Sequence, residues 1–212
     1  MHAVSSAHNT HSEVLARVTA ALNAQNIGLA TDLATQAIAA GLENPLFLNL
    51  RAFRLENEGY DAEALSDLRR AAALAPHDPH ILNALGLAYA RCGYQDDATK
   101  AFEAAVAEDS GFSQAHFNNG WSREEVGDLA TAQQCYLRAH ETKRDAAEPL
   151  GRLASLAARR GAWTEVRRYA EQALTLDRNN AAAMLALGKL EIEHGAFGKA
   201  EERLRSFLRC PT

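Results

Sequence analysis

Five glycines fix the period of this chain. Gly59, Gly93, Gly127, Gly161 and Gly195 follow one another at steps of 34 residues. An even period of this length marks a stack of similar supersecondary units, not one irregular globule. The glycines have companions in register. Ala64, Ala98, Ala132 and Ala200 stand five residues after their glycines, and Ala71, Ala105, Ala139 and Ala173 stand twelve after. Gly28 precedes Gly59 by 31, which predicts a first unit shortened in one loop.

The stretch before each glycine has apolar residues at i, i+3 and i+7, as in Leu82, Leu85 and Tyr89, and less well in Met184, Leu187 and Glu191. That is helical spacing and not strand alternation. The stretch after each glycine, for example DDATKAFEAAVAED, is helical too. Alanine, the best helix former, is about a fifth of the chain. Each glycine suits a left-handed helix C-cap between the two helices of a unit. Pro45, Pro76, Pro79 and Pro149 fall in turns or first helical turns, where a missing N–H does no harm.

The pattern resembles the tetratricopeptide repeat, a 34-residue helix–turn–helix unit. The third unit carries it most fully, with Leu82, the Leu85-Gly86 pair, Tyr89, Gly93, Ala98, Phe102 and Ala105. The fourth keeps Gly120, Gly127, Ala132, Tyr136 and Ala139, and the sixth keeps Leu187-Gly188, Gly195, Phe197, Ala200 and Leu204. The second and fifth are looser, with Ala52 and Ala154 for the first small glycine and Val166 for an alanine; the first diverges most, with Leu33 at a small-residue position. The resemblance implies an all-α fold, a right-handed α-solenoid or superhelix of about six units. They are placed at about 14–44, 45–78, 79–112, 113–146, 147–180 and 181–212, an array over 13–212 behind a disordered tail over 1–12. One unit cannot bury its apolar face alone, and stacked units share a core.

Several classes of function fall away. The 22 Lys and Arg against 27 Asp and Glu leave a net charge of −5, and nucleic-acid binding needs a basic face. No apolar run approaches the roughly 20 residues that span a bilayer. Cys92, Cys135 and Cys210 are odd in number and far apart, which argues against disulfides and zinc and for a reducing, cytoplasmic setting. The sequence has no Gly-rich phosphate loop, no G-x-S-x-G and no H-E-x-x-H, so no enzyme activity, cofactor or metal is expected. Glu191 and His194 have E-x-x-H spacing without the second motif that a di-metal site needs. His116 reads as packing, Cys92 and Cys135 as small apolar residues, and His2, His8 and His11 as a solvated tail.

The resemblance also implies a place for function, since the first helix of each unit lines a concave groove. Its groove-facing positions are Asn49 and Phe53 in unit two, His80, Asn83 and Leu87 in unit three, and Gln114, Phe117, Asn118 and Trp121 in unit four. Units five and six add Glu148, Arg152 and Ser155, then Ala182, Leu185 and Lys189. Phe117 and Trp121, at i and i+4, would form one aromatic surface. Asparagine amides can pair with an extended backbone in both directions, and Arg152 offers a fork for a carboxylate. Only Asn118 and Arg152 match the carboxylate clamp of chaperone-binding members; Asn83, Leu87 and Glu148 do not.

The expected function is a non-catalytic scaffold that binds a protein or peptide segment. Residues 1–146 carry 11 basic and 19 acidic residues, while residues 147–212 carry 11 and 8, a layout that could steer an acidic segment to the C-terminal units. Leu204, Phe207 and Leu208 would face an absent seventh unit, which predicts a weak homodimer there or a chain cut from something longer. The alternative is an N-terminal accessory module of a longer enzyme, sulfotransferase-like or hydroxylase-like, as in bacterial chains that this one resembles.

Overall fold

The computed structural model describes the backbone of residues 2–209 and the side chains of residues 11–205. Among the described residues there are twelve α-helices and no strand. They fall into two compact units, Met1–Glu108 and Asp109–Thr212. The first contains α1 (His2–Asn23), α2 (Ile27–Ala39), α3 (Pro45–Asn57), α4 (Asp61–Leu74), α5 (Pro79–Arg91) and α6 (Gln95–Glu108). The second contains α7 (Ser113–Glu125), α8 (Leu129–Thr142), α9 (Glu148–Arg159), α10 (Trp163–Leu176), α11 (Ala181–Glu193) and α12 (Phe197–Arg209). Helix α1 therefore begins inside the stretch 1–12.

Local chemistry sets the helix ends. Asn44 and Asp78 are N-caps directly followed by Pro45 and Pro79, so the first helical residue brings no orphan N–H. Asn180 caps α11 by accepting from the Ala183 N–H at 3.0 Å. At the period-marking glycines φ lies between 69° and 84°, the left-handed region. There the Tyr60 N–H donates to the Leu55 carbonyl and the Gly59 N–H to Glu56, the paired bonds of a Schellman cap. The same pair recurs at Tyr94 and Gly93.

The first turn departs from the expectation of a shortened loop. Gln25, and not Gly28, holds the left-handed position, with φ 56°, and the Asn26 N–H donates to Ala21. Gln25 lies 34 residues before Gly59, so the period is unbroken. Gly28 sits in the first turn of α2.

Small residues stand where helices cross. A Cβ on Gly86 would lie 2.5 Å from the Phe102 ring, and one on Gly120 would lie 2.8 Å from Tyr136. Leu204, expected on an open end face, instead packs on α11, 3.6 Å from where a Gly188 Cβ would be. The side chains of Phe207 and Leu208, and Cys210, lie outside the described residues.

Each unit has its own core. In the first, Val18, Leu33, Phe47 and Leu50 form one cluster and Leu65, Leu68 and Leu85 another. The second is built on Tyr136, Leu150, Leu153, Val166 and Leu187. One polar pair is set into the first core: Arg51 Nε and Nη2 each donate to a carboxylate oxygen of buried Asp67 at 2.6 Å. This bidentate pairing satisfies both groups and raises the arginine's pKa.

Candidate functional site

In the first unit, the positions expected to face a groove lie on α3 and α5. Phe53 is 50% exposed and Leu87 37%, so both present apolar surface to solvent. Asn49 is half-buried and Asn83 buried, so the Asn83 amide is held within the fold rather than offered on its surface.

In the second unit, a cleft of about 460 Å³ opens between the start of α7 and the α8–α9 turn. Phe112, Phe117 and Pro149 give it apolar walls, while Gln114, Lys143 and Glu148 bring an amide, an ammonium and a carboxylate to its lining. Ser113 pins this end of α7 by donating its hydroxyl to the Ala139 carbonyl at 2.7 Å. The Phe117 ring leans on Tyr136 at a centroid distance of 5.5 Å. Gln114 donates its amide to Asn118 Oδ1 at 3.0 Å, so Asn118, itself buried, already has its carbonyl engaged.

The support beneath Phe117 is polar at its far end. The buried Tyr136 hydroxyl donates to Glu124 Oε2 at 2.9 Å. Burial, and after it the Glu124 carboxylate, pushes this phenol far above its ordinary pKa, so it stays a donor. Arg159 donates to Glu124 Oε1 at 3.4 Å, and Arg152 Nη1 stands 3.9 Å from Glu124 Oε2. Arg152, expected to await a ligand carboxylate, thus has a carboxylate of its own chain beside it.

The remaining site candidates do not gather at the cleft. Trp121 is half-buried on α7, Ser155 half-buried on α9 and Lys189 exposed on α11. Lys143, Phe112, Ala146 and Pro149 line the cleft although the repeat register did not single them out. Three of them flank helices or lie in a turn, where position within a helix says nothing of direction. Elsewhere, Glu191 is held by Arg203 through contacts of 2.7–3.2 Å. His194 Nδ1 lies 2.8 Å from the Leu190 carbonyl, and buried His116 Nε2 lies 3.0 Å from that of Ser110. Cys92 is half-buried and Cys135 buried, both as thiols. No group of three or more metal-capable side chains occurs among the described residues.

An apolar wall with mixed donors and acceptors at its margin is the kind of lining that ligand sites have in general. The comparisons agree with the repeat geometry. Residues 79–111, which contain α5 and α6, match the tetratricopeptide repeat family. This is a tetratricopeptide-repeat fold. Among solved structures, PilF of Pseudomonas aeruginosa superposes with a TM-score of 0.77 at 16% identity, over 92% of this chain and 89% of that one. A tetratricopeptide repeat protein from Parabacteroides merdae gives 0.74 at 16% identity, over 96% and 82%. A thermophilic tetratricopeptide-repeat protein from Thermus thermophilus gives 0.63 at 19% identity, over 82% and 99%. No curated protein sequence matches significantly. Tetratricopeptide arrays serve generally as protein-interaction scaffolds, and among the described residues of this one no helix is long and apolar enough to cross a membrane.

Proposed function

We propose that this chain is a non-catalytic scaffold holding an extended peptide or partner segment against its first helices. One apolar side chain of the partner sits in the cleft at Phe117. The observation that carries this reading is the cleft itself: aromatic on one wall, lined by an amide, an ammonium and a carboxylate, and backed by a rigid, hydrogen-bonded tyrosine. Exposed Phe53 and Leu87 support a similar use of first helices in the first unit. With Lys143 and Glu148 both at the cleft and Arg152 beside Glu124, shape and main-chain hydrogen bonding select the partner there more than charge does.

Our reading assigns the chain to the cytoplasm, for which the free thiols of Cys92 and Cys135 speak. It also includes a weak homodimer through the C-terminal unit, supported by exposed Ile192 and Phe197 and tested by sedimentation. The groove is tested by filling the cleft. A partner is first isolated on the wild-type chain, and its affinity is then measured for Ala146→Trp and Gln114→Trp. The expected result is a loss of about tenfold or more in affinity with an unchanged helical circular dichroism spectrum. Unchanged affinity in both variants would contradict the groove.

A further inference from the structure

A larger cleft, of about 580 Å³, lies elsewhere in the second unit, between α10, α11 and α12. Its floor is aliphatic, made of Leu174, Leu187 and Leu190. Basic groups reach it from all three directions: Arg167 on α10, His194 at the end of α11, and Lys199 and Arg203 on α12. The acids that face them are Glu171 and Glu191. Glu191 is spent on Arg203, which binds both its oxygens and joins α12 to α11. The ammonium of Lys199 and the guanidinium of Arg167 remain over an aliphatic floor, with Glu171 as the other carboxylate among the described lining residues. A neighbouring hollow of about 390 Å³ shares Glu191, Lys199 and Arg203 and extends the surface past the ion pair to Met184, with Glu202 at its margin.

We infer that this cleft is a second binding site, which takes a short acidic–aliphatic peptide segment of a partner protein. Within the larger cleft Arg167 and Lys199 face Glu171 alone once Glu191 is paired with Arg203, and this excess names an acid there, while Glu202 keeps it from the Met184 end; the leucine floor names the aliphatic residue beside it. The volume is that of a pocket for several side chains, within the range of roughly 300–1,000 Å³ usual for ligand sites, and too large for a lone ion. The continuation toward Met184 favours a segment over a single small amphiphile. The site is built largely on second helices and shares no residue with the cleft at Phe117, so one chain can hold two partners at once. It stands whether or not the groove reading holds.

The probe is a blocked hexapeptide, Glu-Leu-Leu-Asp-Leu-Glu, titrated into the ¹⁵N-labelled full chain and followed by amide chemical shifts. Saturable shifts are expected at Leu190–Lys199 and along α10, and they should persist in Ala146→Trp, where the other cleft is filled. Arg167→Glu with Lys199→Glu, both on exposed side chains, should weaken binding about tenfold or more, as should replacing the peptide's acids by Gln and Asn. The milder pair Arg167→Gln and Lys199→Gln repeats the test without reversing charge. Shifts absent at millimolar peptide, equal binding of the uncharged peptide, or binding of octanoate without binding of the peptide would each overturn the inference.

Discussion

Gln25 occupies a backbone conformation that costs an L side chain roughly 1–2 kcal/mol, at a turn where five other repeats use glycine. The cap survives because its hydrogen bonds are intact: the Gln25 N–H donates to Leu22 and the Asn26 N–H to Ala21. Gln25→Gly should therefore raise the stability of the first unit by about 0.5–1 kcal/mol, once glycine's greater unfolded freedom is set against the relieved strain. Urea unfolding checks this, and a destabilised variant would show that the glutamine side chain makes a contribution of its own. The residue explains where sequence reasoning slipped. Glycine spacing locates five of these turns and points to Gly28 for the sixth, because the turn requires a backbone angle that glycine favours but does not own. Gly151 shows the opposite case. It was not part of any counted register, yet a Cβ there would lie 2.2 Å from Asn180 Oδ1, the oxygen that caps α11.

At the scale of the helix, boundaries were legible where cap chemistry is local. Asn44-Pro45 and Asp78-Pro79 each state where a helix starts, in two residues. The start of α1 was not legible: its first dozen residues are polar, rich in Ser, Asn, Thr and His, and have no apolar period. Helix α8 allows a test of its cap. Asp128 accepts from the Thr131 N–H at 3.1 Å, and hydrogen bonds from the Thr131 side chain and backbone hold its carboxyl below the ordinary carboxylate range. A carboxylate with a lowered folded pKa adds stability above its unfolded value and loses it as pH falls through the folded one. Asp128→Asn keeps an accepting oxygen but does not titrate. The stability gap between wild type and this variant should thus be full at neutral pH and close below about pH 4, as the carboxyl protonates. Thermal melts across that window measure it, and a gap independent of pH would contradict the cap's ionic contribution.

For the whole molecule, the period told that the chain is a stack of helical pairs, and no single motif did so alone. It gave no sign of the division after Glu108. The residues at that point carry one: α7 has His116, Asn119 and Arg123 at the places where α5 has Leu82, Leu85 and Tyr89. The repeat that opens the second unit lacks that apolar row. The candidate site was legible in outline only. Phe117 and Gln114 lie on a helix whose register fixes which way they point, while Lys143 and Ala146 come from a turn whose course only the fold defines. The neighbourhood of Arg152 and Glu124 was not legible, because which charges meet depends on how α7 and α9 cross. In the proposed function, the first helices of the second unit grip a partner segment. Hydrogen exchange on the full chain, free and saturated with the partner it captures, tests this most directly. Slowed exchange is expected along α7 and the first turn of α9, centred on the cleft at Phe117; unchanged exchange in both, with the partner bound, would rule out the groove.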